Sequence, residues 1–259
     1  MLLFPELSLT GHGGGREARR LALDRAAPRV ERLAAAAGPM LTLFGLVETG
    51  GAPKTFHNSV FAVRDGAVIH VHRKVNLATY GKLDDGLHFV AGDRIAPFDL
   101  ESDDGGADGI ASDACWRIAA LICADTWNPP LVHLAAAQHA TLMLVATSSA
   151  LEAVGPEFDN PSGWDVNLRF HALTYGLPVV MANRVGVEGD LTFWGGSRIV
   201  DPFGRELARA EGAAEALVDA DIDLAAVRRA RALLPTMRDA NLPLLQTELE
   251  RIRRAPTRN

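Results

Sequence analysis

The stretch WRIAALICADTWNPP, residues 116–130, predicts the fold class because it combines three kinds of local structure. The apolar run that ends at Cys123 is typical of a buried strand, and the polar residues after it indicate a turn. Asn128 and Pro129 then suit the start of a helix, as N-cap and first helical residue. Another apolar run, TLMLVAT at 141–147, comes next. A strand, a helix and a strand in this order indicate an α/β protein.

Two hairpins interrupt this alternation. SVFAVRDGAVIHVHRK, residues 59–74, has Asp65 and Gly66 between two alternating runs, and this pair favours a two-residue turn. GSRIVDPFGRELARA, residues 196–210, has a Pro-Phe-Gly turn in its middle. Hairpins among alternating strands and helices predict a sandwich that contains both parallel and antiparallel strands.

Other segments complete the predicted order of elements. We expect further strands at 41–47, 178–184 and 215–222, helices at 15–38 (kinked at Pro28) and 164–175, a long loop at 75–93, and a polar surface turn at 101–109. The tail, 223–259, is predicted to be mainly helical, with breaks near Pro235 and Pro243.

Length and composition limit the classes of protein. The chain has 259 residues and a formal net charge of −6, which fits a single domain, 1–259, with a sizeable core. The modest acidity argues against a nucleic-acid surface. The longest apolar stretch, 131–147, is interrupted by polar residues, and the N-terminus lacks the basic start of a secretory signal, so we expect no membrane association. With two cysteines there is no disulfide framework, and a cytoplasmic location is expected.

The thiol of Cys123 is the candidate nucleophile. At the end of a strand it would stand at the sheet edge, and the turn after it would place backbone N–H groups, including that of Ala124, near an oxyanion. A thiol needs a base or a nearby cation to react as the thiolate. A buried, inert cysteine is the alternative. Cys115 lacks this context, and its spacing from Cys123 matches no tight metal-binding pair.

Two charged residues could activate such a thiol. Glu6 follows a short apolar run and would act as a general base where it is sufficiently desolvated. Lys74 ends the first predicted hairpin and would offer a fixed positive charge to a developing oxyanion. Taken alone, each residue is more often an ordinary surface or strand-end side chain.

Five motifs, taken in order, resemble the nitrilase, or carbon–nitrogen hydrolase, superfamily. They are FPELSLTG from Phe4, HRKVNLATYG…DDGLHFVAGD from His72, LICADTWNP from Leu121, MANRVG from Met181 and LTFWGGSRIVDPFG from Leu191. The resemblance covers the chain from Leu3 to about Ile222. It implies a four-layer α-β-β-α sandwich with two mixed sheets, and a homodimer or higher homo-oligomer.

The resemblance also implies a Glu-Lys-Cys triad, carried here by Glu6, Lys74 and Cys123, and no metal or organic cofactor. In the family the cysteine attacks a carbonyl or nitrile carbon, and the glutamate moves the proton to the leaving group. The lysine and the N–H after the cysteine, here Ala124, stabilise the charged intermediate.

Three features depart from the family pattern. Family members usually carry a strand and a helix before the Phe-Pro-Glu motif, which begins here at Phe4. Either the start of the chain is assigned too late, or a central strand is absent. The second acid after the lysine, often a glutamate, aligns best with Asp85, and Asp84 is the alternative. The residue after the cysteine is often larger or acidic, and here it is Ala124.

The substrate pocket and the identity of the base have further candidates. The resemblance places four residues near the substrate path, each of which has an alternative role in packing or turn formation: Tyr80, Trp127, Ser148 and Asn183. Three histidines are alternatives to the glutamate as partners of the cysteine, and their spacing selects none of them: His12, His72 and His171.

The sequence therefore predicts a hydrolase that cleaves a small amide or N-carbamoyl compound with water and releases ammonia or an amine. Nitrile hydrolysis and acyl transfer are alternatives that use the same triad. A catalytically inactive member that serves as a binding or scaffold protein is an alternative of another class, suggested by the short N-terminus.

Overall fold

The alternating apolar runs form two mixed β-sheets that pack face to face between layers of helices. The computed structural model of the protein describes residues 1–101 and 115–255. The α/β architecture and the mixed sheets expected from the sequence are confirmed. The polar turn expected at 101–109 lies, from residue 102 onward, outside the described residues.

The first sheet comes from the N-terminal part of the chain. Its strands, in spatial order, are β1 (Leu2–Leu3), β2 (Thr42–Thr49), β3 (Phe56–Arg64) and β4 (Ala67–Arg73). β1 pairs with β2 in parallel, and the other neighbours are antiparallel. In the turn between β3 and β4, Asp65 and Gly66 have φ values of 51° and 77°, the positive values that a tight two-residue hairpin turn requires.

The second sheet lies beside the first and contains the longest buried strands of the C-terminal half. Its described strands, in spatial order, are β12 (Glu206–Arg209), β11 (Arg198–Val200), β8 (Val179–Asn183), β7 (Leu142–Thr147), β6 (Cys115–Ile122) and β5 (Phe98–Glu101). β6, β7 and β8 are parallel, whereas β5, β11 and β12 run antiparallel to their neighbours. Two further strands, β9 (Val185–Glu188) and β10 (Leu191–Trp194), form a separate hairpin.

Helices cover both outer faces. The described α-helices are α1 (Ala18–Leu21), α2 (Pro28–Ala37), α3 (Asp85–His88), α4 (Pro129–Ala137), α5 (Asn160–Tyr175), α6 (Leu224–Leu233) and α7 (Leu242–Arg254). α2 packs on the first sheet, where Val30 and Ala34 join Phe44 and Phe61 in one apolar cluster. α4 and α5 pack on the second sheet. None of the helices among the described residues is long and apolar enough to cross a membrane.

The prediction of a single helix at 15–38 is wrong. The structure has α1 and α2 with an extended segment between them, in which Leu23 forms a parallel bridge with Glu48 of β2. Leu23 therefore occupies the edge of β2 beyond the end of β1. Pro28 begins α2 instead of kinking a longer helix, because a residue without an N–H loses no hydrogen bond in the first turn.

The prediction of a strand at 215–222 is also wrong. These residues form neither helix nor strand, and none of the described strands pairs with them. An alternating apolar pattern gives only a tendency to be extended, because a strand needs a neighbour for its N–H and C=O groups.

The tail contains α6 and α7. Pro243 lies in the first turn of α7 and does not break that helix. The apolar side chains of α7 remain exposed: Leu242, Leu244, Leu245, Leu249 and Ile252. The homo-oligomer implied by the resemblance stays a prediction.

The candidate site residues lie just beyond strand ends that meet at one edge of the sandwich. Lys74 follows β4 of the first sheet, whereas Cys123 follows β6 and Ser148 follows β7 of the second. Glu6 lies three residues after β1. The Ser148 N–H donates to the Glu6 carboxylate at 3.0 Å, so the ends of the two sheets are in direct contact here.

Gly45, in the middle of β2, makes room for the segment that carries Glu6. A Cβ added at Gly45 would lie 2.3 Å from the Leu7 nitrogen and 3.0 Å from the Glu6 carbonyl carbon. The same segment is bonded to Gly45, since the Leu9 N–H donates to the Gly45 carbonyl at 3.0 Å. Leu7 itself has a φ of 50°, so the chain turns sharply directly after Glu6.

Replacing Gly45 with alanine should destabilise the protein, because no side chain fits between β2 and the peptide that follows Glu6. We expect the free energy of unfolding, measured by urea denaturation, to fall by about 1–3 kcal/mol, the usual cost of overpacking. Gly51→Ala is the matched control, since nothing lies within 4 Å of its added Cβ. Equal stabilities of the two variants would contradict the close packing at Gly45.

Candidate active site

Cys123 lies where β6 ends and a short 3₁₀ helix, Cys123–Trp127, begins. Its φ is 43°, in the left-handed region that residues with a side chain rarely adopt. The Thr126 hydroxyl donates to the Cys123 carbonyl at 2.9 Å and closes the turn. The residue is buried, with an exposed fraction of 9%. The sharp turn therefore presents the thiol at the end of the strand in an enclosed site.

Glu6 is held by donors from both sheets. Its Oε1 accepts hydrogen bonds from Lys74 Nζ and from Asn58 Nδ2 on β3, each at 2.7 Å. Its Oε2 accepts from the Ser148 N–H, and the Ser148 hydroxyl donates to the Glu6 carbonyl at 2.8 Å. With an exposed fraction of 2%, Glu6 is a buried carboxylate and not a surface side chain.

Lys74 lies between two carboxylates. Its Nζ donates to Glu6 Oε1 at 2.7 Å and to Asp85 Oδ2 at 2.6 Å, and all three residues are buried. Asp85, at the start of α3, also accepts from the Ala78 N–H at 3.1 Å. The three charges therefore form one buried cluster.

The structure distinguishes between the two aspartates that the sequence offered as a second acid. Asp85 contacts Lys74, whereas Asp84 faces outward and pairs with Arg16 and His88, each at 3.2 Å. Asp85 is therefore the residue that lies in the site.

The charges of the cluster determine the protonation states. Burial alone would lower the pKa of Lys74, but the negative charges of Glu6 and Asp85 and the interaction with Cys123 raise it well above its ordinary value. Burial, followed by the charge of Glu6, raises the pKa of the Cys123 thiol well above its ordinary value, although Lys74 opposes this shift. At neutral pH the lysine is charged and the thiol keeps its proton.

Tyr80 lies at the exposed side of this cluster. Burial of its hydroxyl and the nearby charge of Cys123 raise its pKa to about 12, with smaller effects from Lys74 and Glu6. Its exposed fraction is 41%, so part of the ring reaches solvent. Tyr80 therefore lies near the cluster, and it stays protonated at neutral pH. Its role in substrate binding stays a prediction.

The other three pocket candidates have structural partners. The Trp127 ring contacts Phe158 and Trp164 edge to face. The Asn183 side chain accepts a hydrogen bond from the Ser149 N–H at 2.8 Å and donates one to the Gly195 carbonyl at 2.8 Å. These two bonds join the loop at Ser149 to the loop at Gly195. Ser148 contacts Glu6 directly, whereas Trp127 and Asn183 pack and connect the walls around it.

The histidines considered as alternative partners of the cysteine make other contacts. His72 Nε2 lies 2.8 Å from Asp125 Oδ2, and His171 Nε2 lies 2.9 Å from the Thr126 carbonyl oxygen. The ring of His12 packs edge to face against Phe193. These contacts of the three rings are with residues other than Cys123.

Two residues of the site were missed by sequence reasoning: Asn58 and Asp125. Asn58 binds Glu6 from within the largely apolar strand β3, and its burial becomes evident only in the structure. Asp125 is fully buried two residues after Cys123. Between them, Ala124 is also buried, and its carbonyl accepts from Asn76 Nδ2 at 2.7 Å. Among the described residues, no group of three or more His, Cys, Asp or Glu could hold a metal ion.

Replacing Asp85 with asparagine should destabilise the protein, because the charge of Lys74 would then have one carboxylate instead of two. Breaking a buried ion pair commonly costs about 3–5 kcal/mol, and we expect the lower end because asparagine keeps an acceptor oxygen. Asp84→Asn is the matched control, and its exposed pairs should contribute at most about 1 kcal/mol. Urea denaturation at pH 7 measures both, and equal losses would contradict the buried cluster.

Alkylation of Cys123 by iodoacetamide should be slow at pH 7, because burial and the charge of Glu6 raise the thiol pKa and leave little thiolate. The rate should rise about tenfold for each pH unit while the pH stays below that pKa. Intact mass spectrometry of a Cys115→Ser variant measures it without the second thiol. A rate that levels off below pH 8 would contradict the raised pKa.

The chain is similar to known proteins in both sequence and fold. A model of the carbon-nitrogen hydrolase family matches residues 1–232. The chain is 24% identical to the glutamine-dependent NAD(+) synthetase of Thermotoga maritima, over 98% of this chain and 42% of that protein. It is 25% identical to the citrullinase of Francisella tularensis subsp. tularensis, over 75% of this chain and 65% of that protein. It thus spans less than two thirds of the length of these relatives.

A solved structure shares the fold over nearly the whole chain. A mutant of the amidase from Nesterenkonia sp. AN1, with the acetamide moiety of fluoroacetamide added covalently at the active-site cysteine, is 25% identical. It has a TM-score of 0.73 and covers 95% of this chain and 82% of that chain. With the family model matching most of its length, the chain belongs to the carbon–nitrogen hydrolase family of the nitrilase superfamily.

Proposed function

We propose that the protein hydrolyses a non-peptide carbon–nitrogen bond of a small amide or N-carbamoyl compound, with Cys123 as the nucleophile. The observation that carries this proposal is the buried cluster of Glu6, Lys74 and Asp85, joined by hydrogen bonds of 2.7 and 2.6 Å and electrostatically coupled to Cys123. A base, a cation and a thiol in one enclosed site are the groups that acyl transfer through a thioester requires.

In the first half of the reaction, Glu6 accepts the thiol proton while the Cys123 sulfur forms a bond to the carbonyl carbon. The C=O electron pair moves onto oxygen, where the Lys74 ammonium and the Ala124 N–H stabilise the charge. When the C=O bond re-forms, the C–N bond breaks. Glu6 passes its proton to the leaving nitrogen, which departs as ammonia or an amine and leaves a thioester.

In the second half, water attacks the thioester. Glu6 accepts a proton from the water as the new C–O bond forms, and Lys74 and Ala124 again face the oxyanion. Collapse of this intermediate breaks the C–S bond, and the proton returns from Glu6 to the sulfur. Asp85 stays bound to Lys74 throughout and keeps its ammonium in place.

Two relatives and the burial of the site support the proposed substrate class. One relative is named for citrulline, which ends in a ureido group, and another took up the acetamide moiety of fluoroacetamide at its cysteine. The ureido group and the acetamide moiety are both small, and each contains a carbonyl carbon bonded to nitrogen. We propose a substrate of the same kind, in a reducing cytoplasm that keeps the thiol free.

A panel of primary amides and ureido acids, followed by ammonia release, tests this function. We expect turnover of at least one member and its loss by about 10³-fold or more in Cys123→Ala and in Glu6→Gln, because residues that act as a unit fail together. Cys115→Ser, which removes the other thiol, is the control and should keep wild-type activity. Activity that survives Cys123→Ala would contradict the proposal.

Parallel arms of the same assay separate the alternatives. Turnover of nitriles but not of amides would replace amide hydrolysis with nitrile hydrolysis. Faster product formation with hydroxylamine than with water would indicate acyl transfer. If the protein shows no turnover, and fluoroacetamide also gives no covalent mass increase at Cys123, the result would indicate an inactive binding or scaffold protein.

A further inference from the structure

Asp125 is a buried carboxylate that takes no part in the hydrolysis steps above. Its Oδ1 accepts hydrogen bonds from the N–H groups of Val75 and Asn76, at 3.0 and 2.7 Å. Its Oδ2 accepts from the Ile122 N–H at 3.0 Å and, since an ionised carboxylate only accepts, from His72 Nε2 at 2.8 Å. With an exposed fraction of 0%, it has all its bonds inside the protein.

The partners of this carboxylate surround the two groups that the reaction needs. His72 lies two residues before Lys74, and Val75 lies directly after it. Ile122 lies directly before Cys123. A single side chain therefore binds the backbone or side chains on both sides of the lysine and on one side of the cysteine.

This link matters because the lysine and the cysteine belong to different sheets. β4, which leads to Lys74, and β6, which leads to Cys123, share no backbone ladder. Side-chain contacts must therefore fix the separation of their ends. Asn76 adds a second link, because its Nδ2 donates to the Ala124 carbonyl at 2.7 Å.

We propose that the His72–Asp125 pair is a positioning device that sets the separation of the Lys74 ammonium and the Cys123 sulfur. The inference rests on the proposed function for its catalytic consequence. The pair touches no reacting atom and governs the rate of the chemical step more than substrate binding. Displacements of about 1 Å in such a site can cost about 10²-fold in rate.

A role in folding alone does not account for the pattern of bonds. The hydrogen bond from the Ile122 N–H to Asp125 closes the turn after β6, and this bond alone would suffice to cap the 3₁₀ helix. The other three bonds all go to the segment around Lys74. Since a carboxylate offers about four lone-pair positions, the four bonds leave Asp125 no freedom to shift without losing one of them.

His72 allows a test that leaves Asp125 itself in place. The His72 side chain is buried, with an exposed fraction of 4%, so its replacements must be aromatic or close to it in length. His72→Phe puts a somewhat larger aromatic ring in place of the imidazole and removes the donor. His72→Gln restores an N–H at about the position of the imidazole Nε2.

We expect His72→Phe to lower kcat by about 10–100-fold while KM changes less than about threefold, since the loss is in geometry and not in substrate contacts. His72→Gln should recover most of this loss. Alkylation of Cys123 by iodoacetamide at a fixed pH should also slow in His72→Phe, in the Cys115→Ser background. The charge of Lys74 opposes the rise in the thiol pKa, and a displaced lysine would oppose it less.

Val30→Ala is the control for lost stability, because Val30 lies in the apolar cluster under α2. It should lower the melting temperature and leave kcat and the alkylation rate unchanged. The proposal is overturned if folded His72→Phe keeps the wild-type kcat and alkylation rate, if His72→Gln is equally impaired, or if Val30→Ala loses kcat to the same extent. If the wild type turns over no substrate, the proposed function fails, and the alkylation rates still decide whether the pair positions Lys74.

Discussion

The Lys74 ammonium, buried between the carboxylates of Glu6 and Asp85, is the interaction on which the rest of the site depends. Removing an ion from water costs several kcal/mol, and attraction repays this only when the geometry and the further hydrogen bonds are good. Here each carboxylate also accepts a bond elsewhere, Glu6 from Asn58 and Asp85 from the Ala78 N–H. The ends of β1, β3 and β4 and the start of α3 therefore meet at one cation, which fixes the base at the site.

The charge balance of this cluster explains the state of the thiol. Two carboxylates and one ammonium leave one net negative charge in a region with little water. A thiolate at Cys123 would add another, so the pKa of the thiol is raised despite the nearby lysine. The site thus differs from a thiolate–imidazolium pair, in which the nucleophile is already ionised. In the proposed reaction the sulfur therefore loses its proton as it attacks, and Glu6 is the proposed base.

The sequence predicted those parts of the fold and site that depend on local pattern. Cys123 and Lys74 were expected at the ends of strands, and the hairpin turn at Asp65 was expected from its residue types, because strand periodicity and turn chemistry are local properties. The segments 15–38 and 215–222 differed because their outcome depends on tertiary partners. Leu23 joins the edge of β2, and no described strand lies beside 215–222. No periodicity encodes such partners.

The choice between Asp84 and Asp85, and the failure to predict Asn58 and Asp125, have the same physical reason, since both depend on tertiary packing. Asp84 and Asp85 are chemically identical in the sequence, and only the start of α3 turns one toward Lys74 and the other toward Arg16. Asn58, on β3 of the first sheet, and Asp125, just after β6 of the second, look like ordinary polar residues until the two sheets pack together. Polar side chains that become buried by packing between sheets can be found only once the register and the contact between the sheets are known.

The burial of the reacting groups also constrains what the site can accept. Exposed fractions of 2%, 3% and 9% for Glu6, Lys74 and Cys123 mean that a substrate must bring its carbonyl carbon below the protein surface. A folded polypeptide cannot present its backbone at such depth without unfolding locally, whereas a small amide or ureido group can. The Cys123 turn and the Gly45 contact that seats the Glu6 segment both bring the backbone inward. The same close packing that makes the thiol hard to ionise therefore supports the proposal of a small substrate.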